Sequence, residues 1–260
     1  MEIRILGPIS IASIGTVSAR LAPKPRKILA LLLLNANKIV STGSLMTELW
    51  GETPPKSATT TLQTYILHLR KALGIVWRIE LPEIAKRVLT THTNGYLLSV
   101  APGTIDLHVY NELVADGRRA WADGQIESAA AHFDQALALW SGPPLADVPI
   151  GRLLEAEVMR LEEDRLSTLE GRIAADLRLG RHHQLLSELT SLTVQHPFHE
   201  GLYEKFMLAL YRSGRRHQSL DVYQRLRSSL VDELGIDPSP RLQRLHQSIL
   251  ASDPELDVAA

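Results

Sequence analysis

Apolar and polar residues change rhythm several times along this chain. Over the opening residues they alternate, with Ile3, Ile5, Ile9 and Ile11 set among polar neighbours around Gly7-Pro8 and Gly15. That pattern predicts two or three short strands joined by turns. The rhythm then becomes helical. Pro23 and Pro25 lead into a helix through Leu34 to about Asn37, with Pro25 in its first turn. Ser41 is placed to cap a second helix carrying Leu45, Met46, Leu49 and Trp50, which stops at Gly51. A third helix begins at Pro54-Pro55 and ends at Gly74, and on it Leu62, Ile66, Leu69 and Leu73 make one apolar stripe. The stretch between Gly74 and Lys86 has no clear period. After it, Arg87 to Thr91 is strand-like, Thr93-Asn94-Gly95 signals a turn, and Tyr96 to Val100 makes the returning strand.

A helix able to enter a groove, followed by a hairpin able to lean on the neighbouring backbone, is the layout of a winged-helix DNA reader. Outside the apolar stripe lie Thr60, Gln63, Thr64, Leu67, His68, Arg70 and Lys71. The consecutive threonines Thr59, Thr60 and Thr61 are poor helix formers, so they need tertiary support or a surface role. Hydroxyls and amides suit contacts to phosphates and base edges. Without the hairpin, the same helix would read as an ordinary amphipathic one with a solvated polar face.

Ala101-Pro102-Gly103 is the best candidate for a domain boundary, dividing residues 1–100 from an all-helical segment over 104–252 and a short tail, 253–260. The helical segment contains a repeat. Gly124, Gly180 and Gly214 each open a similar stretch, with Ala130, Leu186 or Leu220 six residues on and Phe133, Leu189 or Tyr223 nine residues on. The second and third copies are 34 residues apart, the period of tetratricopeptide helix pairs. Such pairs bury their apolar faces only by stacking, which leaves a concave face suited to a partner.

Charge sharpens the division. Residues 1–98 hold 12 Lys+Arg against 5 Asp+Glu, which leaves 16 basic against 24 acidic of the chain's totals of 28 and 29. A basic first third favours a polyanionic partner, because phosphate neutralisation dominates affinity for DNA. The 260 residues are 45% hydrophobic and 22% charged, enough for two ordinary globular domains. The longest apolar run, Ile28 to Leu34, is too short to span a membrane. MEIRILG lacks the layout of a signal peptide, and there is no cysteine. A cytoplasmic, nucleoid-associated protein without a membrane partner is expected.

Catalytic signatures are missing. No GxGxxG, GxSxG or HExxH occurs. The segment Gly51 to Ser57 ends in Lys-Ser, but it lacks the glycine before the lysine, and two prolines replace amides that would cradle phosphate. His182-His183 and His196/His199 have no carboxylate placed to complete a metal set, so they read as solvated or helix-end histidines. Glu155, Glu157, Glu162, Glu163 and Asp164 share a helix with Arg152, Arg160 and Arg165, the composition of an exposed mixed-charge face. Neither an enzyme nor a cofactor is expected.

The segments IRILGPI, PRKILALLLLNANKIVS, LMTELWGETPPKSATTTLQTYILHLRKALG, NGYLL, ALALWSGPPLADV and LALYRSGRRHQSLDVYQRLRSSLVDELGIDPSPRLQRLHQSIL closely resemble the Streptomyces antibiotic regulatory proteins. The resemblance runs to about Leu250. It implies an OmpR-type winged helix-turn-helix domain of α/β character, followed by an all-α, tetratricopeptide-like bacterial transcriptional activation domain. It also implies activation of a biosynthetic gene cluster by a homodimer on promoter direct repeats of double-stranded DNA, engaging RNA polymerase holoenzyme. By the same resemblance Lys56 to Leu73 is the recognition helix and Arg87 to Val100 the wing. Gln63, Thr64 and His68 are expected nearest the bases, and Thr60, Thr61, Tyr65 and Arg70 on phosphate. Lys24, Arg26 and Lys27 would add backbone contacts at a helix amino terminus. Lys56, Lys71, Arg87, His92, Thr93 and Asn94 complete the expected DNA-binding set. Leu67 occupies a face commonly polar or basic in such helices, and His68 and His92 stand where arginine is frequent. The reader is therefore expected to depend on threonine, glutamine and backbone contacts more than on arginine. The alternative from another class is an interaction scaffold whose winged domain has become a protein-binding platform.

Overall fold

The computed structural model describes residues 2–12 and 21–257. The turn expected at Gly15, and any third strand beside it, lie outside the described residues. β1 (Glu2–Arg4) pairs antiparallel with β2 (Ser10–Ala12), Ile3 facing Ile11, and Ile3 and Ile5 are fully buried. α1 (Pro23–Leu34) has Pro25 in its first turn as expected, but it ends at Leu34, where Asn35 donates its side-chain amide to the Leu31 carbonyl. β3 (Ile39–Ser41) has no counterpart in the sequence pattern. α2 (Thr42–Trp50) is capped as predicted, the Ser41 hydroxyl accepting the Ser44 N–H at 2.9 Å.

α3 spans Ala58–Trp77, which shifts both expected ends. Pro54 to Ser57 form the approach to the helix rather than its first turn. At the other end the helix runs past Gly74 because Val76 and Trp77 are buried, and that burial outweighs the roughly 1 kcal/mol by which glycine disfavours helix. Closure comes at Arg78, in the left-handed region at φ 55°, with the Ile79 N–H returning to the Gly74 carbonyl at 3.0 Å. A short turn, α4 (Leu81–Glu83), and a π-turn (Ile84–Val88) occupy the stretch without clear period, anchored by the buried Ile84. β4 (Leu89–His92) and β5 (Gly95–Leu98) then form the expected hairpin, two residues later at its start and two shorter at its end than the pattern suggests. β5 is central in the order β3-β5-β4.

The remaining chain is helical: α5 (Asp106–Ala122), α6 (Ile126–Leu137), α7 (Arg152–Arg178), α8 (His182–Gln195), α9 (Glu200–Arg212), α10 (Arg216–Ser229), a π-turn (Leu230–Leu234) and α11 (Pro240–Ala251). It does not separate from the winged domain at one point of the chain. One compact unit comprises residues 1–115 with 135–166, the other 116–134 with 167–260.

Within the first unit, two buried carboxylates tie the winged part to later segments. The Asp106 carboxylate accepts the N–H groups of Ile5 at 2.9 and 3.0 Å, Leu6 at 3.0 Å and Leu107 at 2.8 Å. Burial raises its pKa above the ordinary value of 3.8, opposed by the N–H groups of Leu6, Ile5 and Leu107 and by Arg4. The folded state therefore keeps this proton longer than the unfolded chain does. The group's contribution is fully present below about 3.8 and is lost as pH rises through the raised value. Asp106→Asn should flatten that acid-side slope in urea melts. An unchanged slope would show that Asp106 does not govern it. The Glu48 carboxylate plays the corresponding part at the amino terminus of α7, accepting from Gly151, Leu153 and Leu154.

In the second unit the three repeats close alike. Gly124, Gly180 and Gly214 have φ of 74°, 74° and 73°, a left-handed conformation that disfavours any residue with a Cβ. After each glycine the next N–H reaches back five residues: Gln125 to Ala120 at 2.8 Å, Arg181 to Asp176 at 2.9 Å and Arg215 to Leu210 at 2.9 Å. This is the Schellman closure that ends one helix and aims the next. The positions nine residues after the glycines, Phe133, Leu189 and Tyr223, are buried as expected. Those at six are less uniform, Ala130 being buried and Leu186 and Leu220 half-buried. The fully enclosed positions lie at five instead: Ala129, Leu185 and Ser219, the last donating its hydroxyl to the Met207 carbonyl at 2.9 Å.

Candidate nucleic-acid interface

α3 has two faces of different chemistry. Leu62, Ile66, Leu69 and Leu73 are at most 2% exposed, so the whole predicted stripe is in the core. Thr60, Gln63, Thr64, Leu67, His68 and Lys71 are exposed on the outward side. Thr61 and Tyr65 flank that surface half-buried, and Tyr65 packs on the core of the unit. The Thr64 hydroxyl donates to the Thr60 carbonyl at 3.0 Å, which leaves its oxygen lone pairs as an outward acceptor. Lys56 stands exposed in the turn ahead of the helix.

Arg70 is turned away from this outward set. Its Nε donates to the Leu89 carbonyl at 2.9 Å and its Nη2 to the Thr91 hydroxyl at 2.7 Å, so it braces β4 from the flank of α3. Burial lowers its pKa from the ordinary arginine value, with Tyr96 opposing. It nevertheless stays a cation at any physiological pH. The resemblance places Arg70 on phosphate; in the structure its guanidinium is engaged with Leu89 and Thr91 instead, and a positioning role between α3 and the wing is proposed for it. On the wing, His92, Thr93 and Asn94 are exposed, and the His92 ring lies 3.0 Å from the Thr90 hydroxyl. Arg87 is exposed in the π-turn and paired with Glu83 at 2.8 Å. Its neighbour Lys86, also exposed, belongs with it. Arg87 alone belongs to the expected set, although the Lys86-Arg87 dipeptide marks both positions.

The basic cluster at the start of α1 divides. Lys24 is exposed, 5.7 Å from the Trp50 ring. Arg26 pairs with Asp147 at 2.8 Å, and Lys27 donates to the Glu48 carbonyl at 3.1 Å with its ammonium 3.7 Å from the Glu48 carboxylate. Both charges already have anionic partners within the first unit, so Lys24 alone of the three is presented to a ligand. The surface that remains is a polar helix face edged by Lys56 and Lys71, with a small wing beside it and Lys86 and Arg87 at the wing's approach. Removing the Arg70 brace should disorder that arrangement. Arg70→Ala is expected to weaken DNA binding about tenfold, while changing the salt slope by less than loss of one phosphate contact requires. A full unit of lost slope would return Arg70 to the phosphate.

Among the described residues, no group of three or more His, Cys, Asp or Glu side chains is arranged to hold a metal ion, and no helix is long and apolar enough to cross a membrane.

Residues 16–98 match the family described as transcriptional regulatory protein, C terminal, and residues 105–250 match the bacterial transcriptional activator domain. The chain is 48% identical over 257 residues to regulatory protein DnrI of Streptomyces peucetius, covering 99% of this chain and 94% of that protein. It is 36% identical to transcriptional regulator RedD of Streptomyces coelicolor, covering 99% and 73%. It is 40% identical to regulatory protein AfsR of the same organism, of which it spans only 24%. Among solved structures, that of Mycobacterium tuberculosis EmbR in complex with a low affinity phosphopeptide superposes with a TM-score of 0.90 at 34% identity, covering 97% of this chain and 65% of that one.

Proposed function

The chain belongs to the Streptomyces antibiotic regulatory protein family of transcriptional activators, and from that premise we propose that it binds direct repeats in the promoters of a biosynthetic gene cluster and recruits RNA polymerase there. The observation that carries this reading is the exposed polar face of α3, set beside the β4–β5 wing within residues 1–98, which hold 12 Lys+Arg against 5 Asp+Glu. Its parts are regulatory rather than catalytic, as the descriptions of its relatives are.

In the proposed complex α3 lies in the major groove. Gln63, Thr64 and His68 meet base edges, and Lys56, Thr60 and Lys71 meet phosphates. Two copies side by side need repeats about one helical turn apart, roughly 10–11 bp, for both recognition helices to meet the same side of the duplex. The helical half, with its repeated helix pairs, then supplies the surface for polymerase.

The test is a footprint and mobility-shift titration of the purified protein on promoters flanking its own gene. Salt-sensitive, site-specific protection over a repeated element is expected. No binding at low salt would end this reading and favour the scaffold alternative. Lys71→Ala should weaken binding on all sequences alike and reduce the slope of log affinity against log salt by about 0.9. Gln63→Ala should instead relax preference at one base pair per half-site, about tenfold or more. Equal, sequence-independent losses from both substitutions would contradict these roles.

A further inference from the structure

The outward face of α3 carries an exposed leucine among its polar side chains and no guanidinium. At about 100° per residue, Thr64 and Lys71 lie within about 10° of the direction opposite the buried stripe, Thr60 about 30° from it, and Leu67 and His68 about 50° to either side. Leu67 is 40% exposed there, ringed by polar side chains. The only arginine of the helix, Arg70, is committed to Leu89 and Thr91 on β4. The side chain that most often recognises guanine, bidentate arginine, is therefore not offered by this face. What the face offers is an amide at Gln63, a hydroxyl oxygen at Thr64, an imidazole at His68 and an aliphatic group at Leu67. In the major groove an amide matches the N6 and N7 edge of adenine, and an aliphatic group matches the C5-methyl of thymine.

We infer that Leu67 is a specificity-determining residue that reads the C5-methyl group of thymine, making the recognition helix selective for A·T pairs. This rests on the proposed placement of α3 in the major groove. A leucine left exposed on a polar helix face adds little to the core. Covered by a thymine methyl, it converts apolar surface exposed in both partners into contact. The gain corresponds to about one buried methylene, near 0.8 kcal/mol or roughly fourfold in affinity.

Deoxyuridine differs from thymidine only by that methyl and keeps the same pairing, so it isolates the contact. Duplexes carrying the footprinted element would be prepared with each thymine replaced in turn by uracil, and affinities measured at one fixed salt concentration. The wild-type protein should lose about fourfold at one or two positions per half-site. Leu67→Ala should bind the thymine duplex as weakly as the wild type binds the uracil duplex, with no further loss on uracil. Leu67→Gln serves as a second variant, and both keep good helix formers on an exposed site. If the wild type binds its promoter specifically but every uracil duplex binds equally well, the inference fails while the proposed function stands. It fails also if Leu67→Ala and Leu67→Gln retain the full uracil penalty, since another group would then read the methyl. Absence of promoter binding by the wild type would overturn both.

Discussion

Alanine in place of Glu48 should lower the stability of the first unit by about 3–5 kcal/mol, the range for removing one member of a buried, hydrogen-bonded charge set. The carboxylate is 2% exposed. Its Oε1 accepts the Gly151 N–H at 2.6 Å, and its Oε2 accepts Leu153 at 2.9 Å and Leu154 at 3.1 Å. These are amides of the first turn of α7 and the residue before it, where helix partial charge adds to the attraction. Lys27, only 14% exposed, lies 3.7 Å from the same carboxylate. Deletion leaves three N–H groups and an ammonium without their anion, and alanine can supply none of it. Glu48→Gln should recover part of the loss, because its single carbonyl oxygen still accepts from one side. Urea denaturation followed by tryptophan fluorescence in a Trp121→Phe background confines the signal to Trp50, Trp77 and Trp140 of the first unit. A loss below about 1 kcal/mol would place Glu48 among the ordinary polar residues.

That contact also bears on where the winged domain ends. The two family matches end at residue 98 and begin at residue 105. The packing differs: Asp106 holds Ile5 and Leu6, and Glu48 holds the start of α7. We propose that a fragment ending near residue 103 lacks both partners and is less stable than one that keeps the 135–166 segment. The comparison is a thermal melt of the two fragments against the full chain.

Why some of this was legible in the sequence and some was not follows from distance along the chain. The stripe on α3, the Ser41 cap, the Asn94-Gly95 turn and the repeat glycines are all decided within a few residues, where side-chain period and backbone preference act directly. β3 is three residues long and exists only through pairing with β5, more than fifty positions later, so no local pattern marks it. Arg70 illustrates the same limit at the site. Its place on the helix was readable, but its direction depends on Leu89 and Thr91, which the fold brings to it. Arg26 and Lys27 looked like free cations because Asp147 and the buried Glu48 carboxylate are supplied by tertiary packing. Leu67 is the converse case: its polar neighbours and the filled stripe behind it made its exposure readable from helical period alone.

The second large effect is expected at the wing. Gly95 opens β5 opposite both Ser41 of β3 and His92 of β4, so two strands close on it. A Cβ at this position would lie 2.1 Å from the Val40 carbonyl oxygen, 2.9 Å from its carbon and 3.0 Å from the Ser41 Cα. These are backbone atoms of a paired strand, so no side-chain rotation relieves the overlap. β3 must separate from β5, and the Thr42 N–H bond to the Asn94 carbonyl at 2.9 Å goes with it. Gly95→Ala should therefore cost about 3 kcal/mol, the upper end for overpacking. It should also move the wing tip relative to α2 and α3. The functional loss then exceeds what stability alone explains. At a temperature where the variant is still folded, promoter affinity should fall at least tenfold, whereas a stability loss of similar size elsewhere in the unit, as in Glu48→Ala, should leave affinity near wild type. Measuring Kd for both variants under those conditions separates the roles. Equal affinities would mean that the wing hairpin can be displaced without consequence, and that recognition rests on α3 alone.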